Sequence, residues 1–127
     1  MAFQSFEDLE VWQCGCRLTV DVFKAFGGCW NFTMQDQVKR SALSIPSNVA
    51  EGYERGSNKD FIRFLNSAKA SGGELRTQLY LSPKLEFLRK TAFNRLVSES
   101  KEICAMLHRL SRAVAKPVVQ KSRRSPA

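Results

Sequence analysis

Apolar residues recur at three- and four-residue steps in four separate stretches of this chain, and no alternating strand pattern of useful length occurs. That period belongs to helix faces and not to pleated strands. The first stretch runs from about Asp8 to Phe26. Leu9, Trp12, Cys16, Val20 and Phe23 form its main stripe, and Val11, Leu18, Val22 and Ala25 form a second. Gly27-Gly28 ends it, because glycine accepts the left-handed conformation of a helix end. The second helix is predicted to start at Thr33, where Thr33-Met34-Gln35-Asp36 resembles a capping box. Val38, Ala42, Ile45 and Val49 make its apolar stripe, and Gly52 and Gly56 bracket its end. Pro46 removes one backbone donor and should kink or loosen the helix one turn back. Ser57 caps a third helix that carries Phe61, Phe64, Leu65, Ala68, Gly72, Leu75 and Leu79 and ends near Leu81, ahead of Pro83. The fourth spans roughly Lys90 to Ala115, with Leu96, Ile103, Leu107, Leu110 and Val114 on its stripe. Four long amphipathic helices with short connections predict an all-α, antiparallel up-down-up-down four-helix bundle. Residues 1–115 form the bundle, and 116–127 read as a basic disordered tail.

Charge narrows the partners. The chain of 127 residues has 20 Lys+Arg against 12 Asp+Glu, a net charge of +8 and a pI near 9.7. Such a surplus suits a polyanion. Part of it sits in Lys116, Lys121, Arg123 and Arg124, which have no acidic neighbour in sequence. No run of about 18 apolar residues is present, so no membrane span is expected. The opening MAFQSFEDLE has acids and no apolar core, unlike a signal peptide. Four irregularly spaced cysteines then read as reduced thiols in a cytoplasmic protein.

One segment carries more than period. Arg40, Ser44, Asn48, Glu51 and Arg55 recur at helical steps opposite Val38, Ala42, Ile45 and Val49. Members of this polar stripe can hydrogen-bond along the helix, Arg40 to Ser44 and Glu51 to Arg55. The stripe suits a solvated face, a subunit interface, or placement of Arg40 and Arg55 against phosphates. The run from Arg40 to Tyr53, RSALSIPSNVAEGY, resembles the signature of the "four helix bundle protein" family. Members are encoded in bacterial genomes, some inside intervening sequences of large-subunit ribosomal RNA genes. The accessory protein of diversity-generating retroelements is similar. Phe6, Asp8, Leu9, Val11 and Trp12 fit the family's opening, and Arg55, Ser57, Phe61, Phe64, Leu65, Ala68, Ser71, Glu74 and Leu75 fit its third helix. The resemblance covers about residues 6 to 110. It implies an antiparallel bundle assembled as a homopentamer, and it marks Arg40, Ser44, Pro46, Asn48, Glu51 and Gly52 as motif or interface residues. The retroelement relative binds nucleic acid and a reverse transcriptase. This chain departs from the pattern at Cys29-Trp30-Asn31-Phe32, which is more aromatic than the usual first loop, and at Pro83.

Metal and catalytic chemistry find little support. Cys14 and Cys16 lie about 200° apart on a helix and cannot share an ion. Cys104 and His108 share a face, but a zinc site needs two more ligands. With one histidine, no Ser-His-acid arrangement is readily assembled, and neither Gly27-Gly28 nor Gly72-Gly73 has a phosphate loop's context. No metal, no cofactor and no enzymatic activity are expected. Two readings remain. In the first, a basic homo-oligomer binds RNA or DNA electrostatically through Arg40, Arg55, Lys59, Arg63, Arg109, Arg112, Lys116, Lys121, Arg123 and Arg124. No recognition helix preceded by a turn and no aromatic stacking platform is legible in the sequence, so sequence-specific readout is not expected. In the second, the oligomer is a scaffold for a nucleic-acid-processing protein such as a reverse transcriptase, without touching nucleic acid itself.

Overall fold

The computed structural model describes residues 5–116. After a 3-10 turn (Phe6–Asp8) come α1 (Glu10–Ala25), α2 (Phe32–Glu54), α3 (Asn58–Leu81) and α4 (Lys90–Ala115), with no strand among the described residues. Each helix packs on its neighbours in sequence, and α1 closes the bundle on α4. Successive helices run antiparallel. The α1–α2 and α3–α4 connections therefore lie at one end, the loop end. The α2–α3 turn and the two ends of the described chain lie at the other, the terminal end. None of the helices described is long and apolar enough to cross a membrane. The expected tail lies outside the described residues, apart from Lys116, whose N–H caps α4 on Ala113 O.

Helix limits follow local chemistry. Ser57 Oγ accepts from Asp60 N at 3.1 Å and starts α3 as expected. Gly56 takes φ +86° in the turn before it, a conformation that a side chain would strain. The start of α2 differs from the capping-box reading. Asn31, not Thr33, is the cap, and its Oδ1 accepts from Met34 N at 2.9 Å. One turn in, Gln35 Nε2 reaches back to Phe26 O at 2.8 Å and Cys29 O at 3.3 Å, tying the loop to the helix start.

The face of α1 that enters the core is the reverse of the expected one. Val11, Gly15, Leu18, Thr19 and Val22 are buried, whereas Val20 is 51% and Phe23 41% exposed. The cause lies in α2, which runs from Phe32 to Glu54 straight through Pro46. Proline leaves Ala42 O without its regular in-helix donor. Thr19 Oγ1 of α1 stands 3.1 Å from that oxygen and 2.8 Å from Gly15 O, so its hydrogen serves both. Gly15 lies against the Pro46 ring, which a Cβ there would meet at 3.4 Å. The loosening expected at Pro46 is thus offset by a donor from α1, and this fixes which side of α1 faces inward.

The other seams also use small residues. A Cβ on Gly52 would fall 2.5 Å from Phe64 Cβ, and one on Gly72 would fall 2.5 Å from Cys104 Sγ. Around these approaches the core holds Phe26, Ile45, Leu65, Leu75, Leu96 and Leu107, all fully buried.

Thr19→Val keeps the shape and removes the donor. It is expected to destabilise the fold by about 1–3 kcal/mol, the cost of leaving a buried acceptor unpaired. In a Pro46→Ala background the restored amide serves Ala42 O, and the cost of Thr19→Val should fall to less than half. Urea unfolding of the four proteins measures this coupling; equal costs in both backgrounds would refute it.

Candidate nucleic-acid interface

Antiparallel topology gathers most of the basic residues singled out in the sequence. Arg55 follows α2, and Lys59 and Arg63 sit on the first turns of α3, so all three are at the terminal end. Arg109 and Arg112 occupy the last turns of α4 at that same end, and Lys116 follows as its C-cap. Lys69 Nζ, 3.3 Å from His108 Nδ1, marks the register of α3 against α4. Arg63, six residues before Lys69, is therefore level with the final turns of α4. All six residues are exposed. Phe64 organises two of them, with the Arg55 and Arg63 guanidinium carbons 5.0 and 4.7 Å from its ring centroid. That cation–π contact holds both groups near one surface while leaving them accessible.

Carboxylates accompany part of this cluster. Arg55 pairs with Glu51 at 2.9 Å, Arg63 with Asp60 at 3.3 Å and Arg109 with Glu102 at 3.9 Å. Such exposed pairs contribute about 0–1 kcal/mol and can be exchanged for phosphate contacts. Lys59, Arg112 and Lys116 make no ion pair among the described residues. Arg40 stands apart, about 22 Å up α2 from Arg55 at the helical rise, and pairs with Asp36 at 3.1 Å. Lys121, Arg123 and Arg124 lie outside the described residues.

The motif has its own work inside the chain. Ser44 Oγ meets Ser71 Oγ of α3 at 2.8 Å, and Asn48 Nδ2 donates to Ser44 O at 2.8 Å and Ser44 Oγ at 2.9 Å. The Glu51–Arg55 bond forms as expected, but Arg40 turns to Asp36 rather than Ser44, whose half-buried hydroxyl faces α3. Pro46 packs on Gly15, and Gly52 admits Phe64. Ser44, Pro46, Asn48 and Gly52 therefore join helices within one chain, while Arg40, Glu51 and Arg55 face solvent.

The thiols and carboxylates are arranged otherwise. All four cysteines are free. Cys104 points its Sγ toward Lys69 O at 4.0 Å, and burial pushes its thiol up against the opposing charges of Arg76 and Lys69. Among the described residues, no three or more His, Cys, Asp or Glu side chains are placed to hold a metal ion. Between α1 and α4, the least extensive helix seam, lies a cleft of about 450 Å³ that contains Cys14, Arg17, Asp21, Glu99 and Glu102. Burial raises the Glu99 carboxyl, and the charge and hydrogen bond of Asp21 raise it further, against Arg95 and Arg17. This pairing between helices could not be read from sequence, because it depends on the register of α1 against α4. A protonated Glu99 carboxyl can donate to Asp21, and the cleft also carries the Cys14 thiol but no imidazole.

The fold and its seams define an all-α antiparallel four-helix-bundle protein with a polar α2–α3 junction and a basic terminal end. Residues 7–109 match the 23S rRNA-intervening sequence protein family, and the chain belongs to it. A solved structure of a protein of unknown function from the S23 ribosomal protein family of Bacteroides thetaiotaomicron is similar. It is 25% identical with a TM-score of 0.75, over 80% of this chain and 97% of that one. No curated protein matches the sequence.

Folded protein holds the Glu99 proton more tightly than the unfolded chain. The site therefore stabilises the fold while protonated, and that contribution is lost as pH rises through the raised value. Glu99→Gln, neutral at every pH, is expected to melt higher than the parent near pH 7. The two should converge below pH about 4, where glutamate is protonated in both states. A series of thermal melts against pH checks this, and a lower melting temperature for the variant at neutral pH would contradict it.

Proposed function

We propose that this protein is a non-enzymatic homo-oligomer that holds a nucleic-acid backbone at its basic terminal end, with little sequence specificity. The observation that carries the reading is the convergence of Arg55, Lys59, Arg63, Arg109, Arg112 and Lys116 at one end of the bundle. The chain then continues from Lys116 into Lys121, Arg123 and Arg124. Phosphates neutralised by such groups release counterions, which drives binding without base readout. Membership of an rRNA-intervening sequence family supports a nucleic-acid context.

Assembly is supported by the outer face of α1 and α2. Val20 and Phe23 point away from the core, Lys39 of α2 lies 5.0 Å from the Phe23 ring, and Leu43, one turn further along α2, is 51% exposed. An apolar strip of this kind marks a contact surface. A second copy covers it in this proposal, in a closed ring that family resemblance makes a pentamer. Each added copy multiplies the basic end.

Val20→Asp with Phe23→Asp is expected to leave the helical signal intact and lower the mass in sedimentation equilibrium toward the monomer. An unchanged mass would place the interface elsewhere.

Binding to mixed-sequence RNA and DNA, followed by fluorescence anisotropy, should weaken steeply with salt, by about 0.7–0.9 in log affinity per phosphate contact for each unit of log salt. Replacing Arg123 and Arg124 by Ala should reduce that slope by about one to two, and replacing Lys59 and Arg112 by Ala should reduce it by a similar amount. Arg40→Ala should leave it unchanged. Failure to bind at about 50 mM salt with the assembly intact would leave the alternative, a scaffold for a nucleic-acid-processing protein.

A further inference from the structure

The most exposed large apolar side chains described are Trp30 and Phe32, at 70% and 79%. Both lie at the loop end, away from the basic cluster, in the segment where the sequence departs from its family. Their exposure is imposed by a loop that is tied down. Cys29 N bonds to Phe26 O at 3.0 Å, Gln35 Nε2 holds Phe26 O and Cys29 O, and Asn31 caps α2. The facing α3–α4 connection is closed by Phe87 N to Ser82 O at 2.8 Å and Glu86 N to Pro83 O at 3.1 Å. It sets the Phe87 ring edge-on to Trp30, with centroids 5.2 Å apart. The indole thus stands in solvent with Phe87 against one edge, open to a ligand rather than buried in the core.

Trp30 borders two grooves of different character. One, about 670 Å³, also carries Arg89 and Glu86. The other, about 500 Å³, is lined by Trp30, Leu85 and Phe87 together with the amides of Asn31, Gln37 and Gln78. Gln78 Oε1 there is buried with no hydrogen-bond partner among the described residues. The α3–α4 connection and the first residue of α4 bring Lys84, Arg89 and Lys90, all exposed, against the single acid Glu86. Flat aromatic faces beside amides and a surplus of cations complement an unpaired base on a phosphate backbone. An acidic peptide would meet the cations but offers no flat π face to Trp30, and an apolar one would leave Lys84, Arg89 and Lys90 without counter-charge.

We propose that the loop end is a stacking site for unpaired nucleotides of single-stranded nucleic acid, with Trp30 and Phe32 as the platforms and Lys84, Arg89 and Lys90 at the phosphates. The inference rests on the nucleic-acid reading above and adds a second contact at the opposite end of the bundle.

The test uses the full chain carrying Trp12→Phe, which leaves Trp30 as the sole indole of the two tryptophans. It is titrated with single-stranded oligo-uridylate, oligo-thymidylate and a blunt duplex, at a salt concentration high enough to suppress backbone binding. Single strands should quench Trp30 fluorescence and the duplex should not. Trp30→Ala, read by anisotropy with labelled oligonucleotide, should weaken single-strand binding about five- to hundredfold. Trp30→Phe should retain most of the affinity. Phe32→Ala, at an exposed helix start, supplies a second variant should Trp30→Ala fold poorly, and it should weaken single-strand binding as well. Unchanged single-strand affinity in the alanine variants would overturn the stacking site while leaving the basic end standing. Equal quenching by duplex would also overturn it. A lower assembly mass for folded Trp30→Ala would show a protomer contact instead. Binding of no nucleic acid at low salt would remove both readings together.

Discussion

Proline at position 46 leaves the carbonyl of Ala42 without its in-helix donor on the buried face of α2, and the hydroxyl of Thr19 takes up that acceptor from α1. A buried carbonyl without a donor costs about 1–3 kcal/mol, so the register of α1 on α2 is strongly constrained. Gly15 lets the Pro46 ring approach, and Val11, Leu18 and Val22 follow inward on the same face. The outward direction of Val20 and Phe23 is then a consequence. The apolar surface that α1 leaves outside the core is set by a backbone gap on the neighbouring helix, and not by which stripe of α1 is more hydrophobic.

The α2–α3 junction works by similar means. Gly52 and the Ser44–Ser71 hydrogen bond bring the two helices close, and Phe64 reaches the junction's outer edge between Arg55 and Arg63. A motif that looks like a surface stripe in sequence is thus split by the packing. Its serine, proline, asparagine and glycine serve the fold, while its charged members remain in solvent. The functional reading gains from this division, since the cationic groups are placed by a rigid aromatic ring and still exchange partners readily.

Helix number, order and type were legible from period alone; the limits of α3 agree with its cap and breaker in sequence, and those of α4 with its apolar period. The start of α2 was less so. Asn31 and Thr33 are both good caps, and the choice between them is made by the loop hydrogen bonds of Gln35, which lie outside any local pattern. The basic residues were legible as candidates, but their grouping was not. Arg40 and Arg55 share a helix and differ by some 22 Å in height, whereas Arg63 and Arg112 are far apart in sequence and level in the bundle. Trp30 and Phe32 were visible as an aromatic departure from the family. Their exposure could be known only once the two loops at that end faced each other.

Sequence by itself determined the four helices, their antiparallel order, the positive charge and the family signature. These depend on local propensity, on apolar period and on composition, which are properties of the chain in one dimension. Tertiary structure decided which face of α1 is buried, which cations stand together, and which carboxyl in the α1–α4 cleft is pushed toward its protonated form. Each of those is settled by contacts between residues distant in sequence: a threonine hydroxyl over a proline gap, an antiparallel register, and an aspartate brought beside a glutamate. No local rule contains them, because the physical partner arrives only when the helices pack.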